Sequence, residues 1–164
     1  MKKCIALLLS SLLLLGVFSL AGCGKKEADL SDAIHLEYDR RQAVLKKTTL
    51  ESKDGAWRIV IHACTTKEDL KSRRTYFENT LTSIANQDVV SDEKTFGSLT
   101  FRTEYHTANG QFAGSYFTEF ESPVKTKSLM YPLYGIYCYV AAEDSSFVDE
   151  IESAMSGLYV QAVG

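Results

Sequence analysis

Apolar and polar residues alternate over several stretches of this chain, and a two-residue period predicts β-strands. Two stretches, residues 57–64 and 133–142, are apolar at both odd and even positions. These two strands are therefore expected at the centre of a sheet that is covered on both faces. The other predicted strands cover residues 34–38, 43–51, 99–107 and 111–120, with a short one at Val89-Val90.

Two stretches follow a helical period instead. Thr65 to Glu68 matches a capping box, and Leu70, Phe77 and Ile84 then recur at helical spacing, which predicts a helix over residues 67–84. A second helix is predicted from Ser146, with Phe147, Ile151, Met155 and Leu158 as its apolar stripe. Gly157 lies close to its end, as is usual for a helix C-terminus.

Glycine-containing turns connect the predicted strands. Asp54-Gly55 and Asn109-Gly110 are typical of tight hairpins, and a further turn is expected at Ser91–Lys94. Hairpins join neighbouring strands directly, so the sheet should be largely antiparallel. The sequence thus predicts one α+β domain over residues 34–164, with a central antiparallel sheet and helices packed on both of its faces.

Several of these elements together resemble the PsbP-like fold. The resemblance rests on the helix 67–84, the hairpin at Asn109-Gly110, the strand from Tyr134-Gly135-Ile136 and the closing Met155-Ser156-Gly157-Leu158. It implies an α/β/α sandwich and, because relatives of this fold are mostly accessory or binding proteins, a non-enzymatic role. It implies no particular site residues.

The first 23 residues have the layout of a bacterial export signal. Lys2 and Lys3 precede an apolar run, which ends in Leu20-Ala21-Gly22-Cys23. This tetrapeptide resembles the lipobox, in which the cysteine thiol takes a diacylglyceryl group and a signal peptidase cuts before it. We therefore expect cleavage between Gly22 and Cys23, with lipid on Cys23. The alternative is an uncleaved apolar anchor helix.

The predicted location follows from this signal. Residues 1–22 form the signal peptide, and residues 23–33 form the lipidated cysteine with a polar tether. Lys25 and Lys26 either lie at anionic headgroups or are solvated linker residues. Two or more acyl chains hold a small protein stably on a membrane. The domain is thus expected on the extracytoplasmic face of the cell membrane.

Length and charge narrow the choice of partners. The chain has 164 residues and a net charge of −3. Cleavage would remove Lys2 and Lys3 but no acidic residue, which gives the mature chain a charge of −5. This length suits one domain with a core. The acidic balance argues against nucleic acid, which binds to concentrated basic surfaces.

The sequence contains no recognisable catalytic or cofactor motif. His35, His62 and His106 are far apart along the chain and have no cysteine or carboxylate at metal-ligand spacing, so no metal site is predicted. Glu104 is expected on a solvated face beside Arg102. Neither a serine-hydrolase elbow nor a phosphate-binding loop is present. We therefore expect neither an enzyme nor a cofactor.

Two pairs of residues are candidate sites within the domain. Cys64 and Cys138 would remain after processing and form either a disulfide or two buried thiols. Tyr131 and Tyr134 flank Pro132 where a loop meets a strand, and are candidates for recognition. The alternative for tyrosines at such positions is cross-strand packing.

These observations favour one function and leave two alternatives. The leading hypothesis is a lipid-anchored binding or accessory protein that contacts an envelope or membrane protein. The alternatives are a small-ligand-binding lipoprotein and a small envelope enzyme. A pocket of several hundred Å³ would favour a ligand or an enzyme, and a flat aromatic patch would favour a protein partner.

Overall fold

The computed structural model describes residues 24–84, 90–108, 110–126 and 131–162. The export signal, Cys23 included, and Asn109 lie outside these residues. The strands are β1 (Lys25–Asp29), β2 (Ile34–Asp39), β3 (Ala43–Lys46), β4 (Thr49–Ser52), β5 (Trp57–Cys64), β6 (Val90–Phe96), β7 (Leu99–Ala108), β8 (Gln111–Val124), β9 (Leu133–Ala142) and β10 (Leu158–Val160). The helices are α1 (Lys67–Ile84) and α2 (Val148–Met155), which a short 3-10 turn (Ser145–Phe147) precedes.

The strands form two antiparallel sheets. The large sheet has seven strands in the order β3-β4-β5-β9-β8-β7-β6, and the small sheet has three in the order β1-β2-β10. Every paired neighbour is antiparallel. The predicted α+β class with a largely antiparallel sheet is confirmed, and the domain is richer in strands than the sequence indicated.

The small sheet is the main departure from the sequence-based prediction. Residues 25–29, expected to be part of a polar tether, form β1 and pair along their whole length with β2. Leu158, expected as the last apolar residue of the helical stripe, instead begins β10, which pairs on the other side of β2. The folded domain thus includes residues 25–29, because pairing with β2 makes a strand of a segment whose polarity alone predicts a tether.

One predicted strand and one predicted turn need correction. The stretch 43–51 is a hairpin rather than one strand, because Lys47 turns the chain with a φ of 58°. No turn forms at Ser91–Lys94, since β6 runs through these residues and the chain turns at Gly97, with a φ of 58°. The turns at Gly55 and Gly110 form as predicted, with φ values of 80° and 83°.

The large sheet is covered on both faces, as the two-sided strands predicted, but by different elements. Helix α1 covers one face, where Leu70 and Phe77 pack with Cys64, Phe117 and Tyr137. The other face holds the main core, to which α2 and the small sheet both contribute. Ile151 and Met155 of α2 join Ile34, Leu36 and Leu158 of the small sheet there, against Ile59, Ile136 and Val140. The second face of the large sheet is therefore covered by α2 together with the small sheet.

None of the helices within the described residues has the length and apolar composition needed to cross a bilayer.

Candidate functional site: a groove beneath helix α1

Helix α1 crosses the face of the large sheet and leaves a groove along its C-terminal half. The helix begins at Lys67, where the backbone N–H of Asp69 donates to the Thr66 hydroxyl oxygen at 3.0 Å. The cap is thus Thr66, one residue later than the predicted capping box. Leu70 and Phe77 fix the helix on the sheet.

The groove has a volume of about 430 Å³ and its walls are mostly apolar. The Phe77 ring of the helix meets the Tyr139 ring of the sheet edge-on, with centroids 5.6 Å apart. Tyr76 stands at the rim with 76% of its surface exposed. A groove of this size, with rings on opposite walls and an exposed ring at its mouth, fits a small apolar molecule. The residues that line it are Val60, His62, Arg73, Tyr76, Phe77, Thr80, Ala113, Tyr137 and Tyr139.

Two polar side chains that line the groove, those of Arg73 and His62, can orient a bound ligand. Arg73 is ion-paired with Asp69 at 3.0 Å on the same helix. Burial, and secondarily the Arg73 guanidinium, lower the pKa of His62 below its usual range. The His62 imidazole is therefore neutral near pH 7 and offers one donor and one acceptor nitrogen.

The lowered pKa of His62 predicts a stability that falls on acidification. The unfolded chain takes up a proton near the ordinary histidine pKa of about 6.5, whereas the folded chain takes it up only at lower pH. The stabilisation is thus complete above this pH and is lost as the pH falls toward the folded pKa. Urea unfolding at pH 7 and at about pH 5.5 should show this loss, and His62→Asn should reduce it. An identical pH dependence in the variant would contradict the assignment.

A row of buried polar residues lies on the same face of the sheet, beside the groove. Glu104 is only 5% exposed, and its Oε1 is 3.0 Å from Nη2 of Arg74 on α1. Arg74 also contacts Glu78 at 2.8 Å and lies 4.7 Å above the centre of the Phe117 ring. The expectation that Glu104 is solvated is wrong, because α1 packs over this part of β7.

Two further polar groups in this row are buried next to Glu104. Ser115 is directly opposite Glu104 on β8, and His106 is opposite Ala113, a residue of the groove floor. Within the described part of the chain, His106 Nε2 has no hydrogen-bond partner. Buried polar groups thus lie beside the apolar groove, on the same face of the sheet.

The two cysteines of the domain are free thiols in the structure. Cys138 is opposite Ile61 in the β5–β9 register, whereas Cys64 is opposite Gly135. Cys138 belongs to the main core and Cys64 to the cluster beneath α1, so the thiols lie on opposite faces of the sheet. The disulfide considered from the sequence is not formed, because side chains on opposite faces do not meet.

The two candidate recognition tyrosines lie at the start of β9. Tyr131 is 60% exposed, and Tyr134 is half-buried. Both line a shallow cavity of about 410 Å³ with Pro132 and with residues 65–68, where α1 begins. The cavity is separate from the groove and lies near the opposite end of α1.

One group of potential metal ligands lies on the small sheet. Oxygen and nitrogen atoms of Glu27, Asp29 and His35 lie within 4.8 Å of one another. Spacing along the sequence indicates no carboxylate ligand beside His35, but in the fold β1 brings Asp29 directly opposite it. His35 Nδ1 is 2.8 Å from Asp29 Oδ1, Tyr159 donates to Glu27, and the Tyr159 ring stacks on His35. These groups therefore satisfy one another.

Comparison with known proteins adds no relatives. The chain matches no known protein-family model, no curated protein and no solved structure.

Proposed function

We propose that this chain is a lipid-anchored, extracytoplasmic binding protein without catalytic activity, and that the groove beneath α1 holds a small apolar ligand. The observation that carries the ligand assignment is the groove itself. Its volume of about 430 Å³ lies within the range of small-molecule sites. Its walls combine aromatic rings with only a few polar groups, a composition typical of such sites.

The chemistry of Cys64, which lies on the same strand as His62, supports a binding role over catalysis. Burial, and secondarily the Asp69 carboxylate, raise the pKa of Cys64 to about 12. A thiol with such a pKa stays protonated at physiological pH, and the thiolate is the reactive form. This pKa argues against a reactive dyad of Cys64 with His62, two residues apart on β5.

Binding by the groove can be tested with the neutral fluorescent probe N-phenyl-1-naphthylamine. We expect its emission to rise on addition of the protein, because the probe would leave water for an apolar site. Ala113→Phe, which fills the groove from its floor, should abolish this rise. Tyr76→Ala should weaken binding by about tenfold, the effect of losing one ring contact.

A matched control distinguishes the groove from general surface hydrophobicity. Tyr131→Ala removes an exposed tyrosine outside the groove and should leave probe binding unchanged. Circular dichroism would verify that all three variants are folded. Probe binding that persists in folded Ala113→Phe would reject the groove as a ligand site.

The proposed location rests on the lipobox-like Leu20-Ala21-Gly22-Cys23. Mass spectrometry of the membrane-extracted protein should find Cys23 as the first residue, carrying diacylglycerol. Cys23→Ala should yield a protein without a diacylglyceryl group, because thioether attachment needs the thiol. An unmodified Cys23 in the native protein would exclude lipid anchoring.

A protein partner is the second candidate function, and the exposure of Tyr131 favours it. Exposed tyrosines are common at protein interfaces, because the ring is apolar and the hydroxyl tolerates water. Photo-crosslinkers at positions 76 and 131 in intact cells distinguish the two candidates. Reproducible capture of one envelope protein from position 131 alone would favour the partner over the ligand.

The likeness to the PsbP-like fold also remains a proposal. It is supported by α1 over one face of an antiparallel sheet and by the β7–β8 hairpin at Gly110. Under this proposal, the three-stranded small sheet beside α2 is an addition to the PsbP-like fold in this chain.

A further inference from the structure

The lipid-bearing cysteine has almost no spacer between it and the folded domain. Only Gly24 separates Cys23 from β1, and the Gly24 carbonyl accepts a hydrogen bond from the backbone N–H of Arg40 at 2.8 Å. From Lys25 onward every residue of β1 is paired with β2. Gly24, one residue after the proposed lipid, is thus already hydrogen-bonded to the domain.

Gly24 is also enclosed by the turn that follows β2. It is buried, and a Cβ at this position would lie 2.4 Å from Arg41 Nε and 2.5 Å from Asp39 Oδ1. Arg41 holds Asp39 through its guanidinium and its backbone N–H. The turn that follows β2 also contacts the large sheet, because the backbone N–H of Lys53 donates to the Gln42 carbonyl oxygen at 2.9 Å.

The anchor end of the domain, defined as residues 24–26, 37–42 and 52–54, is positively charged although the mature chain is acidic. It carries five basic and three acidic side chains, and a fourth carboxylate, that of Glu150 on α2, lines a cavity with Arg41 and Lys53. The acidic residues of the anchor end are Glu37, Asp39 and Asp54. Glu37 and Asp39 form ion pairs with basic residues of the same end. The exposed basic residues are Lys25, Lys26, Arg40, Arg41 and Lys53. Further along β1, away from the anchor end, the charged side chains are the acidic Glu27 and Asp29.

The large sheet leads away from this end. Strand β5 follows the 52–54 turn, starts at Trp57, and reaches Cys64 after eight residues, a length of about 23 Å. Its partner β9 starts beside Cys64, since Gly135 is opposite that residue. Tyr131, Tyr134 and the first turn of α1 are therefore at the far end of the sheet.

We propose that the anchor end lies directly on an anionic phospholipid surface, so that the large sheet stands away from the bilayer and presents its Tyr131–Tyr134 end outward. This orientation rests on the proposed lipidation of Cys23. The short covalent link limits how far the domain can tilt, and the basic side chains are attracted by the anionic headgroups. Each basic residue at such a surface contributes about fivefold in binding, and added salt reduces this contribution.

The orientation can be measured on the lipidated protein in phosphatidylcholine–phosphatidylglycerol vesicles. Single cysteines introduced by Gln42→Cys at the anchor end and by Lys67→Cys at the far end would carry a fluorophore, while the buried Cys64 and Cys138 are left in place. Nitroxide on the lipid headgroups should quench most of the emission from position 42 and little of that from position 67. Comparable quenching at both positions would overturn the proposed orientation.

Two variants separate the contributions of the short link and the charge. A flexible Gly-Ser spacer of about ten residues between Gly24 and Lys25 should bring the two positions to similar quenching, since such a linker spans about 16–19 Å. Combined Lys26→Glu, Arg40→Glu and Lys53→Glu should reduce quenching at position 42. The matched control, Lys71→Glu with Lys125→Glu, should not. Unchanged quenching in both test variants would overturn the proposal.

Mass spectrometry of the same sample distinguishes the two ways in which the proposal can fail. Lipidated protein with equal quenching at both positions would overturn the orientation alone. Protein without lipid on Cys23 would overturn the anchoring and the orientation together.

Discussion

Replacing Gly157 with alanine is expected to lower the free energy of unfolding by about 3 kcal/mol, the upper end for overpacking. Gly157 lies between α2 and β10, and its carbonyl accepts a hydrogen bond from the N–H of Glu37 at 2.8 Å. A Cβ at this position would lie 1.9 Å from the Glu37 carbonyl oxygen and 2.9 Å from its carbon. These are backbone atoms of β2, the central strand of the small sheet, so they cannot move aside as a side chain would.

Gly114→Ala provides the matched control for this prediction. A Cβ at position 114 would meet Val140 Cγ2 at 3.0 Å and Tyr105 Cβ at 3.2 Å, both side-chain atoms. A loss of about 1 kcal/mol is expected there, because small shifts relieve such contacts. Urea unfolding of both variants measures the difference. Equal losses would mean that the close approach of α2 to β2 is not a constraint.

Replacing Arg74 with methionine should lower the free energy of unfolding by about 2–3 kcal/mol. The change keeps the aliphatic contact with Phe117 but removes the guanidinium that lies 3.0 Å from Glu104. Glu104 would then remain a buried carboxylate without its cation. The expected loss is below that of a fully buried pair, because 36% of the Arg74 side chain is exposed to solvent.

A second substitution separates the charge effect from lost packing. Adding Glu104→Met to Arg74→Met should recover most of the stability, since neither charge then remains buried. Arg102→Met serves as the control, because Arg102 also lies over the Phe117 ring, at 5.9 Å, but is exposed. Its loss should be below about 1 kcal/mol. A double variant as unstable as Arg74→Met would show that the ion pair is not what stabilises α1 on the sheet.

The sequence predicted the elements whose signals are local. The two-sided strands β5 and β9, the hairpin at Gly110 and helix α1 follow from periodicity and turn chemistry within a few residues. These elements form most of the large sheet and one of its two covers.

The elements that the sequence did not predict depend on distant partners. Strand β1 is polar and β10 has only three residues, and both become strands by pairing with β2. Strand β6 has mostly exposed side chains because it is an edge strand, and its polar residues by themselves predict a turn. Polarity alone does not distinguish an edge strand from a loop.

The same reasoning explains which parts of the candidate site could be found from the sequence. Phe77 was identified as a residue of the apolar stripe of α1, whereas Tyr76 is adjacent to that stripe and gave no periodic signal. An exposed aromatic residue on an otherwise charged helix is the available indication. The burial of Glu104 could not be predicted, because it depends on where α1 crosses the sheet.

The arrangement of β1 and β10 on either side of β2 has a consequence for the order of assembly. Residues 158–160 are separated from their partners at 34–36 by more than 120 positions. Closing so long a segment is entropically costly, and pairings of high sequence separation slow folding. The three-stranded unit should therefore be completed only after residue 160 has been made, as a late folding step.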